Sequence, residues 1–195
     1  MKYVIIAVAL LIIVLLVARS YNLKYTTGIE TYNYEVVKKY DKFEIRDYEA
    51  SLFSYVNLNA STYKEASNQG FRTLAGYIFG YNEKKQKISM TSPVAMNMDD
   101  SISMMFMIPK RYKLEELPKP IDSGIKFKEE PAKTVAAIKF GGWANDKKIE
   151  KYKSRLINHL DQEGIKHTHK FVYLGYNPPY EILNRRNEIV VEVLR

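Results

Sequence analysis

The side chains with chemistry to offer are three histidines, six internal methionines and sixteen tyrosines; cysteine is absent. Without thiols there is no disulfide, no thiolate ligand and no cysteine nucleophile. No serine stands in a G-x-S-x-G setting, and no G-K-[ST] follows the glycines of GYIFGYNEKK, so neither a nucleophile elbow nor a phosphate loop is present. His167 and His169 are two apart and share a face if they lie on a strand. A metal needs at least one further ligand, and Asp161 and Glu163 are the only acidic neighbours in sequence, so exposed loop histidines are expected. His159 falls within RLINHL on a predicted helix. Met90, Met96, Met98, Met104, Met105 and Met107 alternate as packing alone would place them. A thioether ligates iron mainly beside a histidine, so these methionines are read as gap-filling core. RRNEI suggests a local Arg186–Glu188 pair.

These residues must be positioned by strands and two helices. YEVVKKYDKFEIRDYE reads as a hairpin turning at Asp41-Lys42, and Ser51 to Leu58 as a further strand. Thr62-x-x-Glu65 is a capping box, and Phe71, Leu74, Ala75 and Ile78 give the helix after it one apolar face, up to Gly80. Strands follow at Ile88 to Met98 and Ile102 to Ile108, turning at Asp99-Asp100. A proline-containing connector leads to strands at Gly124 to Glu130 and Thr134 to Phe140. Asn145 caps a second helix with Ile149, Tyr152, Leu156 and Leu160 on one side, and the last strands run from Lys170 to Tyr176 and Glu188 to Leu194. Strand, helix, strand, strand thus occurs twice, starting near Leu52 and near Val135. The expected fold is α+β: two βαββ, ferredoxin-like halves whose sheets join into a distorted open β-barrel with two helices outside. A concavity between the halves offers room for a ligand.

The 195 residues suffice for one domain, preceded by an apolar segment. Tyr3 to Ala18 carries no charge and is flanked by Lys2 and Arg19. As a helix it spans roughly 24 Å at ~1.5 Å per residue, close to a bilayer core once the flanking cations snorkel. Residues 1–19 are therefore read as an N-terminal membrane anchor, with a cleaved signal segment as the alternative, residues 20–31 as a tether and 32–195 as the body. The body is expected on the extracytoplasmic side, or secreted if the segment is cleaved. The formal charge of +8 suits a solvated lysine-rich surface, anionic lipid or an anionic ligand. FVYLGYNPPY places aromatics on a strand as base-stacking surfaces do, but its proline pair departs from the usual motif, and no nucleic-acid partner is expected.

In order along the chain, YEVVKKYDKFEIRDYE, GFRTLAGYIFGYN, KISMTSPVAM, MFMIP, KFGGWA, GYNPP and RRNEI resemble the SOUL haem-binding protein family, over nearly all of Tyr34 to Leu194. The resemblance implies two βαββ halves in an architecture similar to gyrase-inhibitor-like effector-binding domains. It also implies non-catalytic binding of haem or another tetrapyrrole, as a carrier or buffer. The family's shallow apolar surface lies beside the first helix and the loop near the last strand, which here means Phe71, Arg72, Ala75, Tyr180 and Arg185. No histidine falls in the matching motifs, so the axial ligand is open between tyrosine and none. A sensor of other flat amphipathic molecules is the alternative function. A small-molecule hydrolase is a minor one, since the sequence shows no nucleophile–base pair.

Overall fold

Local sequence chemistry sets the ends of both helices. The structure, a computed structural model, describes residues 10, 12–13, 29–98, 102–178, 181 and 183–194. In chain order the elements are β1 (Glu30–Thr31), β2 (Tyr34–Lys39), β3 (Glu44–Tyr48), β4 (Ser51–Asn57), α1 (Tyr63–Ile78), β5 (Thr91–Ser92), β6 (Val94–Asn97) and β7 (Ser103–Met107). A 3-10 turn at Leu114–Glu116 leads to β8 (Ile125–Glu130), β9 (Lys133–Phe140), α2 (Asp146–Gln162), β10 (His167–Gly175) and β11 (Asn187–Val193). The Thr62 side chain accepts from Glu65 N and opens α1; the Asn145 side chain accepts from Lys148 N and opens α2. Gly80 and Gly164, at φ +111° and +65°, supply the left-handed backbone just past each helix.

Nine strands form one curled antiparallel sheet in the order β2-β3-β9-β11-β10-β6-β7-β4-β8. Each βαββ unit places its last strand in the middle: β7 lies between β6 and β4, and β11 between β10 and β9. The units join where β6 runs antiparallel to β10, with Gly175 opposite Val94. The leading strands are exchanged. β3 precedes the first unit but pairs with β9 of the second, and β8 precedes the second but pairs with β4 of the first.

Alternation along the strands sends side chains to two layers. On the helix side, Leu74 and Ile78 of α1 and Leu156 and Leu160 of α2 pack with Met96, Met104, Phe106, Ile138 and Ile189. On the other side, Tyr32, Tyr48, Phe53, Met105, Met107, Leu174 and Val190 form a second apolar cluster. Met96, Met104, Met105 and Met107 are all buried, as expected for gap-filling core.

The structure differs from the sequence reading in three places. The stretch Ile88 to Met98 is not one strand, because Pro93, after a cis Ser92–Pro93 bond, has no N–H to pair and separates β5 from β6. Ile88 N donates instead to Ile78 O at the end of α1. The last residues of the expected tether are strand, and Tyr32 N donates to Ser92 O. β10 starts at His167, three residues earlier than expected, because a bulge before Phe171, with His169 at φ +61°, lets the ladder with β11 continue. The apolar segment 3–18 lies outside the described residues except for Leu10, Ile12 and Ile13, and the Asp99-Asp100 turn lies outside them too. Among the described residues no helix is long and apolar enough to cross a membrane.

Gly70 marks the closest approach of α1 to the sheet. A Cβ there would stand 2.8 Å from Met104 Cβ and 2.9 Å from Leu58 Cδ1. Alanine in place of helical glycine normally gains about 1 kcal/mol, but crowding a backbone-anchored Cβ costs about 1–3 kcal/mol. Gly70→Ala is therefore expected to lower stability, read as a reduced urea midpoint, whereas a raised midpoint would show that α1 has room to move away.

Candidate functional site

α1 presents three of the sequence-predicted residues. Phe71 is half-buried, its ring edge-on to Phe106 of β7 at 5.4 Å between centroids. Arg72 is exposed and makes no hydrogen bond or ion pair among the described residues. Ala75 is buried one turn further on. Past Phe106 in the sheet comes β6, whose Met96 packs into the same layer with Met98 just beyond the strand, and then β10 with Phe171 and Tyr173. A cavity of about 180 Å³ opens there, lined by Met98, Ile149, Phe171, Tyr173 and Ile189 with Asp146, Glu150 and Lys153.

The two helices meet beside this cavity. Tyr63 N, at the start of α1, donates to Asp146 Oδ1 at the start of α2, at 2.6 Å. The Tyr63 and Tyr173 hydroxyls are 3.4 Å apart, and the Tyr173 hydroxyl donates to Asn187 Oδ1 at 2.7 Å. Asn187 Nδ2 in turn donates to the carbonyls of Phe140 and Gly142. Burial, reinforced by Tyr63, pushes the Tyr173 hydroxyl far above the ordinary phenol range, so it acts as a neutral donor and not as a phenolate.

Arg185 occupies a different setting from Arg72. Its guanidinium donates to the carbonyls of Pro178, Glu181 and Asn177 and lies 4.1 Å over the Trp143 ring. Its fork thus ties the loop between β10 and β11 to the turn before α2. Its Nε has no partner among the described residues. Tyr180 lies outside the described residues. The histidines are distributed elsewhere: His159 stacks on Phe43, while His167 packs against His169 and the edge of Phe171. Burial, then His169, lowers the His167 pKa, and its Nδ1 accepts from His169 N. No group of three potential metal ligands occurs among the described residues.

The helix-free face carries a constellation the sequence reading did not single out. Arg46 on β3 donates to Glu188 on β11 at 2.7 Å and to Glu44 at 2.7 Å. Arg186 donates to Glu188 Oε1 at 2.8 Å, as the local pairing in RRNEI suggests, and to the Tyr34 hydroxyl. Tyr176 donates to Glu188 Oε2 at 2.9 Å, and the guanidiniums of Arg46 and Arg186 lie over the rings of Tyr34 and Tyr176. Arg46 and Glu188 are both almost completely buried. Glu44, Arg46 and Tyr48 alternate with apolar Phe43 and Ile45, a pattern that reads as a solvent face unless the second apolar layer is known.

The curled antiparallel sheet with two helices on one face is an effector-binding-like fold. In structure it resembles the C-terminal domain of EcmrR, with a TM-score of 0.62 over 83% of this chain and 98% of that one, at 10% identity. In sequence, residues 29–192 match the family model described as SOUL heme-binding protein, and the chain belongs to that family. Among its relatives, Heme-binding protein 1 of Xenopus laevis is 28% identical over 174 residues, which cover 83% of this chain and 91% of that protein. Heme-binding protein 2 of Homo sapiens is 29% identical over 156 residues, 75% of this chain and 76% of that protein.

Two outcomes follow from this geometry. Arg185→Ala removes bonds to three loop carbonyls, and stability should fall by about 1–3 kcal/mol, with a red-shifted Trp143 emission as the ring loses its cover. An unchanged emission would show that another contact holds the loop. Burial alone would raise the Glu188 carboxyl, but the hydrogen bonds and charges of Arg46 and Arg186 outweigh it and hold the group below its ordinary 4.5. Its contribution is thus complete above pH 4.5 and lost as pH falls through the lower folded value. Below pH 4.5, stability should fall less steeply with acid in Glu188→Gln than in the parent; equal slopes would place the acid sensitivity elsewhere.

Proposed function

We propose that this chain binds haem or another tetrapyrrole reversibly on its helix layer, as a carrier or buffer and not as an enzyme. The observation that carries the reading is Arg72, an exposed guanidinium with no partner among the described residues, next to the half-buried Phe71 ring. A flat apolar wall beside a free cation suits a planar ligand that bears carboxylates. A cavity of about 180 Å³ is smaller than the roughly 300–1,000 Å³ of enclosing ligand pockets, which favours shallow contact with part of the ligand in water. Phe71, Arg72 and the apolar floor of β6 and β10 would hold the group, and Arg185 would support the neighbouring loop. Haem would bring its iron, while the chain's part is to orient and shield the macrocycle. The apolar run 3–18 supports tethering to a membrane, with the body on the extracytoplasmic side or released by cleavage.

Titration of residues 20–195 with haemin should give a saturable Soret shift in the micromolar range. Arg72→Ala should raise Kd roughly tenfold by losing a charge-assisted contact, with melting unchanged. No saturable shift would refute haem binding, and an unaffected Kd would move the site away from α1. A second reading, a sensor of other flat amphiphiles, is favoured by the histidine placement, since the ring contacts of all three are with Phe43, Phe171 and each other. It requires flat dyes or lipids to raise the melting temperature more than haemin does.

A further inference from the structure

Past the end of α1, three large apolar side chains stand in water: Phe79 is 59% exposed, Tyr81 60% and Ile121 53%. Two of them are brought together by backbone pairing. Asn82 and Pro120 form an isolated antiparallel bridge, and Glu83 N donates to Lys119 O, so Tyr81 and Ile121 are cross-strand neighbours. The base of this projection is rigid. Asn82 is buried, with its side chain bonded to Tyr77 O, Gln86 O and Gln86 N, and Tyr77 donates to Pro118 O. Lys84, Lys85, Lys87 and Lys119 are exposed around it and make no ion pair among the described residues.

We propose that this tip docks the body onto an anionic phospholipid surface, with Phe79, Tyr81 and Ile121 entering the headgroup–acyl boundary and the lysines meeting lipid phosphates and carboxylates. Protein–protein interfaces are depleted in lysine, whereas peripheral membrane sites combine exposed aromatic and aliphatic side chains with lysine. A convex tip held on a rigid base inserts without paying to order its own backbone. The tip lies about two turns beyond Arg72 at the end of α1 and shares no residue with the cavity lining or with Phe71 and Arg72, so it is tested apart from tetrapyrrole binding.

The test uses residues 29–195, without the apolar segment: the family match covers residues 29–192, and residues 31–195 form one compact unit. It should co-sediment with phosphatidylcholine vesicles containing phosphatidylserine, not with phosphatidylcholine alone, and should be released by high salt. Lys84→Gln/Lys87→Gln/Lys119→Gln should weaken partitioning roughly a hundredfold, about fivefold for each cation near the surface. Tyr81→Ser/Ile121→Ser should weaken it as well, with circular dichroism confirming that both variants fold. The sole tryptophan, Trp143, lies outside the tip and should keep its emission maximum on vesicles. Absence of co-sedimentation, binding by the lysine variant within twofold of the parent, or a blue shift of Trp143 would each overturn the proposal. So would capture by RNA that vesicles fail to displace.

Discussion

The buried ion pair between Arg46 and Glu188 is the constraint on which the rest of the sheet depends. Two full charges leave water here, and only close geometry with further partners offsets that cost. Glu44, Arg186, Tyr34 and Tyr176 supply those partners, two acids against two bases, with aromatic rings over both guanidiniums. Replacing such a pair with well-packed apolar residues is often neutral, so its value lies in specificity. Arg46 arrives on the N-terminal hairpin and Glu188 on the last strand, with β9 between them. A slip of one residue in β3 would turn Arg46 into the apolar helix layer and Ile45 towards Glu188. The ion pair therefore fixes the register of an arm whose own outer strand, β2, is largely exposed.

With that face closed by charge pairing and by the packing of Tyr32 on Tyr48 and Phe53, ligand-facing features fall to the helix layer. The two arginines assigned to the site by resemblance divide the work. Arg72 is free on the surface of α1, while Arg185 is committed to carbonyls and to Trp143. The Tyr63–Asp146 and Tyr63–Tyr173 contacts set where the helices meet, and with it the shape of the cavity. Shape comes from the neutral network of Tyr173 and Asn187, and charge from side chains left outside it.

The architecture was legible because local signals agreed. The caps at Thr62 and Asn145, the stops at Gly80 and Gly164, and the repeated strand-helix-strand-strand order give both units nearly residue by residue. The exchange of β3 and β8 between the halves was not legible, since pairing between distant strands leaves no local periodicity. Nor was Arg46: in EIRDY an alternating charge marks a solvent face unless an apolar layer exists on both sides of the sheet. Arg185 and Arg72 look alike in sequence and differ only in what surrounds them. The outward tip was hidden too, because Phe79, Tyr81 and Ile121 are ordinary core residues by type and stand out only by exposure.

The exchanged strands bear on how the chain must be made. Emerging from the ribosome, the first βαββ unit lacks its edge partner until β8 has followed it out. The hairpin arm waits longer still, for β9. Arg46 meets its carboxylate only when the last strand, with Glu188, has been synthesised. Until then a guanidinium destined for burial stays hydrated, and its strand cannot settle. Such long-range closure makes folding slow and all-or-none, a nascent chain cut short at the proline-containing connector having no finished half to leave behind.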